Sequence, residues 1–279
     1  MESSLGVGCA ARRKSDEYVI LTHVNRQSSQ NISSISLPLF RSEPHRCPYL
    51  PDRMAEDLFT VEAHLEPARY QYMMDLGFRR SGRVVYRPAC DGCAECVPIR
   101  VPVSGFAPSR SQRRVLRRNA DIHVQIGSPK SSERKWRIFV EYLRFQHDGT
   151  MSEDREGFEQ FLYTSPTDTL EMVYYAGRRI AGVGLVDLGP TVMSSVYYYF
   201  DPAMARRSLG VFGSLYEINE CRRRGLLHWY MGYYVRDCSR MSYKTAFRPF
   251  EMLAPDGRWL RFENADAVPR PASNGVRLN

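Results

Sequence analysis

Between residues 132 and 235 the apolar pattern switches repeatedly between helical and strand period, and that order narrows the folds open to the chain. Ser132 stands where an N-cap belongs, and Trp136, Phe139, Val140 and Leu143 follow at i, i+3, i+4, i+7 spacing. A second helical group comprises Phe158, Phe161 and Leu162. Three strand-like runs succeed it: Met172 to Tyr175 turning at Ala176-Gly177, Ile180 to Leu188 turning at Gly189-Pro190, and Val192 to Phe200 ending at Asp201-Pro202. Ser208 to Arg222 reads as a helix with Val211, Phe212, Leu215 and Ile218 on one face, and His228 to Val235 as a further strand. Helices, hairpin strands, a helix and a returning strand suit a mixed sheet with helices on its faces. The expected fold class is α+β.

Residues 35–125 form the other half, distinct from 126–263. A helix is expected from about Pro67 to Leu76, where Tyr70, Met73 and Met74 share a face and Gly77 supplies the stop. Phe78 to Tyr86 reads as a hairpin around Ser81-Gly82. Residues 1–34 are serine-rich and lack a sustained period apart from Tyr18, Val19, Ile20 and Leu21, so they read as a flexible extension. Residues 264–279, with Pro269, Pro271 and Gly275, read as a flexible tail.

The first half carries Cys90-Asp91-Gly92-Cys93-Ala94-Glu95-Cys96. Two-residue spacers let successive thiolates turn toward one centre, and thiolates are soft ligands for zinc or an iron–sulfur cluster. A fourth ligand is needed; Cys47 is the candidate, with His45 in reserve, and a loop of reduced thiols is the simpler alternative. Cys9, Cys221 and Cys238 read as unpaired thiols. Seven cysteines, an odd number and unevenly spread, do not resemble a disulfide framework and point to a reducing compartment. No apolar run approaches the length of a membrane span, and no apolar segment follows the charges at Arg12 to Glu17, so a cytoplasmic protein is expected.

From Cys96 to Ala120 there is no acidic residue, while Arg110, Arg113, Arg114, Arg117 and Arg118 would line one face of a helix. Arginine forks match phosphate geometry, and crowded like charges repel unless an anion meets them. The formal net charge of +8 agrees with an anionic partner, and RNA fits better than duplex DNA because no motif inserts a recognition helix. A solvated basic face is the alternative.

Tyr197-Tyr198-Tyr199-Phe200-Asp201-Pro202 leads through Arg206-Arg207 to Ser208-Leu209-Gly210. A strand end, a loop and a helix start offer free N–H groups to a phosphate or an oxyanion, although ordinary helix capping has the same pattern. Further on, Tyr230 to Val235, Met241 to Lys244 and Phe247-Arg248-Pro249 supply aromatics that either stack on unpaired bases or fill a core.

Together these motifs resemble the bacterial branch of the aminoacyl-tRNA–protein transferases, the aspartate/glutamate leucyltransferases, which are related to eukaryotic arginyltransferases. The likeness covers about residues 35–262. It rests on Cys47 to Leu50, Gly77 to Gly82, Tyr86-Arg87-Pro88 into the three cysteines, Phe106 through Asn119, Tyr199 to Pro202, Ser208 to Gly210, Gly232-Tyr233-Tyr234 and Met241 to Lys244. The resemblance implies a cysteine-bearing N-terminal region followed by a GNAT-like acyltransferase domain. It also implies an aminoacyl-tRNA donor, leucyl by closeness to the bacterial branch, and protein acceptors beginning with Asp or Glu. The transfer step is expected to need no cofactor, whether or not Cys47, Cys90, Cys93 and Cys96 hold a cluster or zinc.

On that footing Arg110, Arg113, Arg114, Arg117, Arg118 and Lys244 are expected to contact tRNA, and Arg206 and Arg207 the acceptor's acidic side chain. The backbone at Ser208–Gly210 is expected to stabilise the oxyanion or the tRNA terminus, with Asp201 or Tyr199 relaying the amine proton. Arginyl transfer, an acyl-CoA acetyltransferase and a non-catalytic metal-containing RNA-binding module are the competing readings.

Overall fold

The computed structural model describes residues 17–21, 35–146 and 151–268. The chain runs through β1 (Glu17–Leu21), β2 (Ile35–Arg41), β3 (His45–Arg46), β4 (Met54–Ala55), β5 (Asp57–Val61), α1 (Pro67–Asp75), β6 (Arg79–Ser81), β7 (Val84–Pro88) and β8 (Val97–Pro102). It continues through α2 (Arg110–Arg118), β9 (Ile122–Gly127), α3 (Glu133–Gln146), α4 (Arg155–Phe158), β10 (Thr169–Ala176), β11 (Arg179–Leu188) and β12 (Val192–Phe200). Last come α5 (Leu209–Arg223), β13 (His228–Tyr234), β14 (Phe250–Leu253) and β15 (Trp259–Phe262).

Eight strands make one mixed sheet in the order β15-β14-β8-β13-β12-β11-β10-β9, in which only β12 and β13 are parallel. A five-stranded sheet, β1-β2-β5-β7-β6, and the short β3–β4 pair lie beside it. The α+β class is thus observed, and the expected meander is β10–β12. The apolar group at Tyr18 to Leu21 is β1, paired antiparallel with β2; the remainder of the expected N-terminal extension, and the tail beyond Val268, lie outside the described residues.

The halves drawn at residue 125 share the large sheet. β8, from the first half, lies in its interior between β13 and β14, with Ile99 and Val101 fully buried. On one face, α5 sets Phe212, Leu215 and Ile218 against Met172, Tyr174 and Met193. On the other, Ile138, Phe139 and Leu143 of α3 and Phe158 of α4 pack on Val183, Leu185 and Tyr199. Burying side chains of this size contributes roughly 1.5–3 kcal/mol each. α1 brings Tyr70, Met73 and Met74 against Phe78 and Val85, and this cluster reaches Val192 and Tyr230 of the large sheet.

A charge pair bolts the two sheets together. Arg80 of β6 meets Asp187 of β11 through two bonds, Nε to Oδ2 at 2.6 Å and Nη2 to Oδ1 at 2.7 Å, with both side chains wholly buried. Such a pair offsets its desolvation only when its remaining groups are satisfied; here Thr169 adds a hydroxyl bond to the same carboxylate at 2.7 Å.

Candidate active site

The two parallel strands part company. β12 and β13 pair only over Val192–Ser194 with His228–Tyr230, after which each runs on unpaired to its partner. Both bulge on the side away from the split. Leu185 and Val186 face Tyr197 and Ser195, leaving Val196 extra on β12, while Met231 and Gly232 together oppose Ile99 alone on β13. Bulges of this kind bend strands and re-aim side chains beside functional sites.

Backbone carbonyls at the split need donors, since buried polar groups rarely stay unpaired. Two cations supply them. Arg79 Nη2 donates to the Ser195 carbonyl at 2.5 Å, and Lys244 Nζ donates to the Tyr233 carbonyl at 2.6 Å. Arg79 is 8% exposed and Lys244 6%. Both face one point: a Cβ on Gly232 would stand 3.5 Å from Lys244 Nζ and 3.8 Å from Arg79 Nε and Nη2. Gly232 adopts φ +86°, a conformation that suits glycine. Burial, reinforced by Arg79, lowers the Lys244 ammonium to about 7. Arg79 Nη1 is buried without a hydrogen-bond partner.

On α5, Glu217 is 1% exposed and accepts from Trp229 Nε1 at 2.8 Å. Burial raises its carboxyl to about 7, so it can hold or release a proton at neutral pH. Tyr198 Oη is also buried and unpartnered, and its ring is pressed so closely on α5 that a Cβ at Gly213 would fall 2.4 Å from Tyr198 Cε2.

The connection from β12 to α5 bears the strand-to-helix residues singled out from the sequence. Asp201 caps the turn Pro202–Arg207, accepting from Ala203 N at 2.9 Å, and is held by Arg179 Nη2 at 2.7 Å. Ser208 has φ 58° and ψ 47°, the one left-handed non-glycine among the described residues, and its side chain caps nothing. Leu209 and Gly210 open α5, and the space where a Gly210 Cβ would project is free. The start of this long helix therefore offers backbone N–H groups to an anion.

Tyr199 points to the opposite face. It is fully buried between Phe139 and Phe158, and its hydroxyl shares a 3.2 Å bond with Tyr163, which donates to Glu171 at 2.8 Å. A proton relay is open to it only through those groups. Tyr198, one residue earlier, faces α5 instead, because successive strand residues point to opposite sides.

The five arginines of α2 are all exposed, while Gln112 and Asn119 are buried beneath them. Ser109 and Gln112 close a capping box at the helix start, yet no acidic residue occupies its first turn. Cations there oppose the helix dipole, which leaves the face suited to an anion. Arg207 is committed within the fold: Nε donates to Asn119 Oδ1 at 3.0 Å, Nη2 donates to the Arg118 carbonyl at 3.1 Å, and it pairs with Asp121. Arg118 Nη1 returns a bond to the Arg206 carbonyl at 2.8 Å. The Arg206 side chain is exposed beside α2. Lys244, expected from the sequence to join the α2 arginines on tRNA, lies instead inside the strand split, because its stem is buried and its ammonium serves a strand carbonyl.

Cys47 follows β3, and Cys90, Cys93 and Cys96 occupy the loop from β7 to β8; all four are half-buried free thiols. Burial raises the Cys96 thiol, and Cys47, Cys90 and Cys93 raise it further, so the four feel one another's charge. Donors already reach two of the sulfurs: Leu50 N lies 3.4 Å from Cys47 Sγ and Arg53 Nη1 3.2 Å from Cys93 Sγ. The donor chemistry suits a soft metal or a cluster, but among the described residues no three His, Cys, Asp or Glu side chains converge to hold an ion. His45 is turned to Asp57 at 3.7 Å.

Comparison with known proteins bears on this geometry. Residues 45–114 match the N-terminal part of the arginine-tRNA-protein transferase family, and residues 134–254 match its C-terminal part. The chain belongs to this family. Among its relatives is the aspartate/glutamate leucyltransferase of Marinobacter nauticus, 42% identical over 227 residues that span 80% of this chain and 95% of the relative. The protein of the same description from Pseudomonas fluorescens strain SBW25 is 38% identical over 232 residues, 80% of this chain and 96% of the other. Among solved structures, the C-terminal domain of a putative lysylphosphatidylglycerol synthetase from Agrobacterium fabrum overlays with a TM-score of 0.41 at 12% identity, covering 69% of this chain and 71% of that one. Family membership makes the chain an aminoacyl-tRNA–protein transferase, an enzyme.

Two buried charged residues of this transferase are not evident from the sequence: Arg79 at the strand split and Glu217 on α5. The signal for Arg79 is its place in Gly77-Phe78-Arg79-Arg80-Ser81-Gly82, where adjacent strand positions facing opposite ways both carry arginine. Glu217 gives none, as one acid among the polar positions of a helix.

Proposed function

We propose that the enzyme takes leucine from leucyl-tRNA and joins it to the α-amine of proteins beginning with Asp or Glu, marking them in the cytoplasm for N-end rule degradation. The observation that carries this reading is the match over nearly the full length of relatives described as aspartate/glutamate leucyltransferases. Residues 126–263 are read as a GNAT-like acyltransferase domain; the partly paired parallel strands β12 and β13, with α5 leading off the first, support that assignment.

The reaction is aminolysis of an ester. The acceptor's amine, with an ordinary pKa of about 7.7–8.0, is partly neutral at cellular pH and attacks the aminoacyl carbonyl. The tetrahedral intermediate then loses the amine proton, and the tRNA ribose oxygen leaves with one. Positioning contributes much of the rate. Arg110, Arg113, Arg114, Arg117 and Arg118, extended by Arg206, hold the tRNA backbone, and the amides of Leu209 and Gly210, beyond the Ser208 N–H that donates to the Ala205 carbonyl, meet the oxyanion. Asp201 holds that loop through Arg179 and Ala203. The four cysteines are assigned a structural role, with zinc or an iron–sulfur cluster as the group they would hold; metal and sulfide analysis of anaerobically purified protein tests it.

A second donor, arginine, is favoured by the family's own description. The test is incubation with leucyl-tRNA and reporters beginning with Asp, Glu or Ala, read by mass spectrometry. Leucine added ahead of Asp and Glu but not Ala is expected; addition to none, or equally to all, overturns the proposal.

A further inference from the structure

Arg79 and Arg80 are neighbours on β6, both buried, and only one has a carboxylate. Arg80 is neutralised by Asp187. Arg79 pairs with no acid among the described residues, and neither does Lys244, whose titratable neighbours are Arg79 and the Cys238 and Cys96 thiols. Two cations thus face Gly232, and neither forms an ion pair with an acid among the described residues. Placing like charges together away from water is costly, and it persists where an anion completes the site in use.

The donors left over define the anion. Arg79 Nη1 is buried and unpartnered, and Lys244, with three N–H groups, gives one to the Tyr233 carbonyl. Arg79 Nε and Nη2 and Lys244 Nζ all lie within 4 Å of where a Gly232 Cβ would stand, and a guanidinium beside an ammonium matches a carboxylate. A phosphodiester would carry two ribose substituents to a place where both cations are buried. The α2 arginines, by contrast, stand in solvent, as backbone phosphates require.

We propose that Arg79 and Lys244 bind the side-chain carboxylate of the acceptor's first residue, and so select Asp or Glu at that position. This rests on the transferase reading and assigns to the strand split the role first expected of Arg206 and Arg207. A merely structural role for the pair, satisfying Ser195 and Tyr233, predicts no dependence on acceptor charge.

The test is binding of short peptides that begin with Asp or with isosteric Asn to the full-length protein, without tRNA, followed by anisotropy. The Asp peptide is expected to bind the wild type about tenfold or more tightly than the Asn peptide. Lys244→Met, folded by circular dichroism, is expected to bind both equally while its affinity for leucyl-tRNA stays unchanged. Arg79→Lys, which keeps the charge, is expected to retain part of the preference. Equal binding of the two peptides by the wild type, preference surviving in Lys244→Met, or weakened tRNA binding in that variant would each overturn the proposal. Preference for Asp in a protein that fails to transfer leucine upholds this site and counts against the donor assignment instead.

Discussion

Asn119 and Arg207 hold each other by two reciprocal bonds: Asn119 Nδ2 donates to the Arg207 carbonyl at 2.9 Å, and Arg207 Nε donates to Asn119 Oδ1 at 3.0 Å. The first residue ends the basic helix α2, and the second ends the turn that delivers α5. The surface suited to tRNA is therefore fastened to the helix start suited to the reacting ester. Replacing Asn119, which is 1% exposed, with Ala leaves the Arg207 carbonyl and side chain short of partners, at a cost of about 1–3 kcal/mol. The expected result is a kcat lowered about tenfold with tRNA affinity nearly unchanged; an unaltered kcat in that variant would uncouple the two sites.

Salt dependence reads the basic face separately. Arg110, Arg114 and Arg117 are exposed, so changing each to Gln is expected to spare stability. For every phosphate that then goes unneutralised, the slope of log affinity against log salt should flatten by about 0.7–0.9. A slope unchanged in the triple variant means that α2 does not meet the RNA.

Ser208 distinguishes backbone from side chain. Its left-handed φ of 58° is unfavourable for a residue with a Cβ, by about 1 kcal/mol. Ser208→Gly is expected to keep transfer and raise stability by about that amount, and Ser208→Val to lose both. Folded but inactive Ser208→Gly protein would show that the hydroxyl, rather than the helix start, takes part in the reaction.

The meander β10–β12 and helix α5 were legible because their apolar residues keep a clean period and their turns carry Gly and Pro. β8 was not: Pro98 and Pro102 argue against an interior strand, yet Ile99 and Val101 between them face the core and hold it in the middle of the large sheet. The exposed arginines of α2 followed from spacing alone. The strand split did not, because its cations belong to residues 79 and 244, on separate elements, and burial reverses what a lysine near aromatics suggests. Tyr199 shows the limit of adjacency: one residue along a strand separates the α3 face from the α5 face.

Glu217 makes stability depend on pH in a predictable sense. Its folded pKa of about 7 lies above the ordinary 4.5, so between those values the folded protein binds more proton than the unfolded chain. The contribution of this group to stability then falls as pH rises through this window and levels off above it, by on the order of 3 kcal/mol in all. Urea midpoints at about pH 5 and about pH 8 measure the drop, and Glu217→Gln, which can still accept from Trp229, is expected to reduce it. A change between pH 5 and pH 8 that is the same in Glu217→Gln as in the wild type contradicts the assignment.

Donor choice separates the possible transfer reactions. Leucyl-tRNA and arginyl-tRNA, each bearing its own label, compete in one reaction for a reporter beginning with Asp, alongside labelled acetyl-CoA. Leucine alone is expected at the reporter's N-terminus, joined by a peptide bond. Incorporation of arginine would move the enzyme to the other donor, and incorporation of acetyl, or of nothing, would contradict the account.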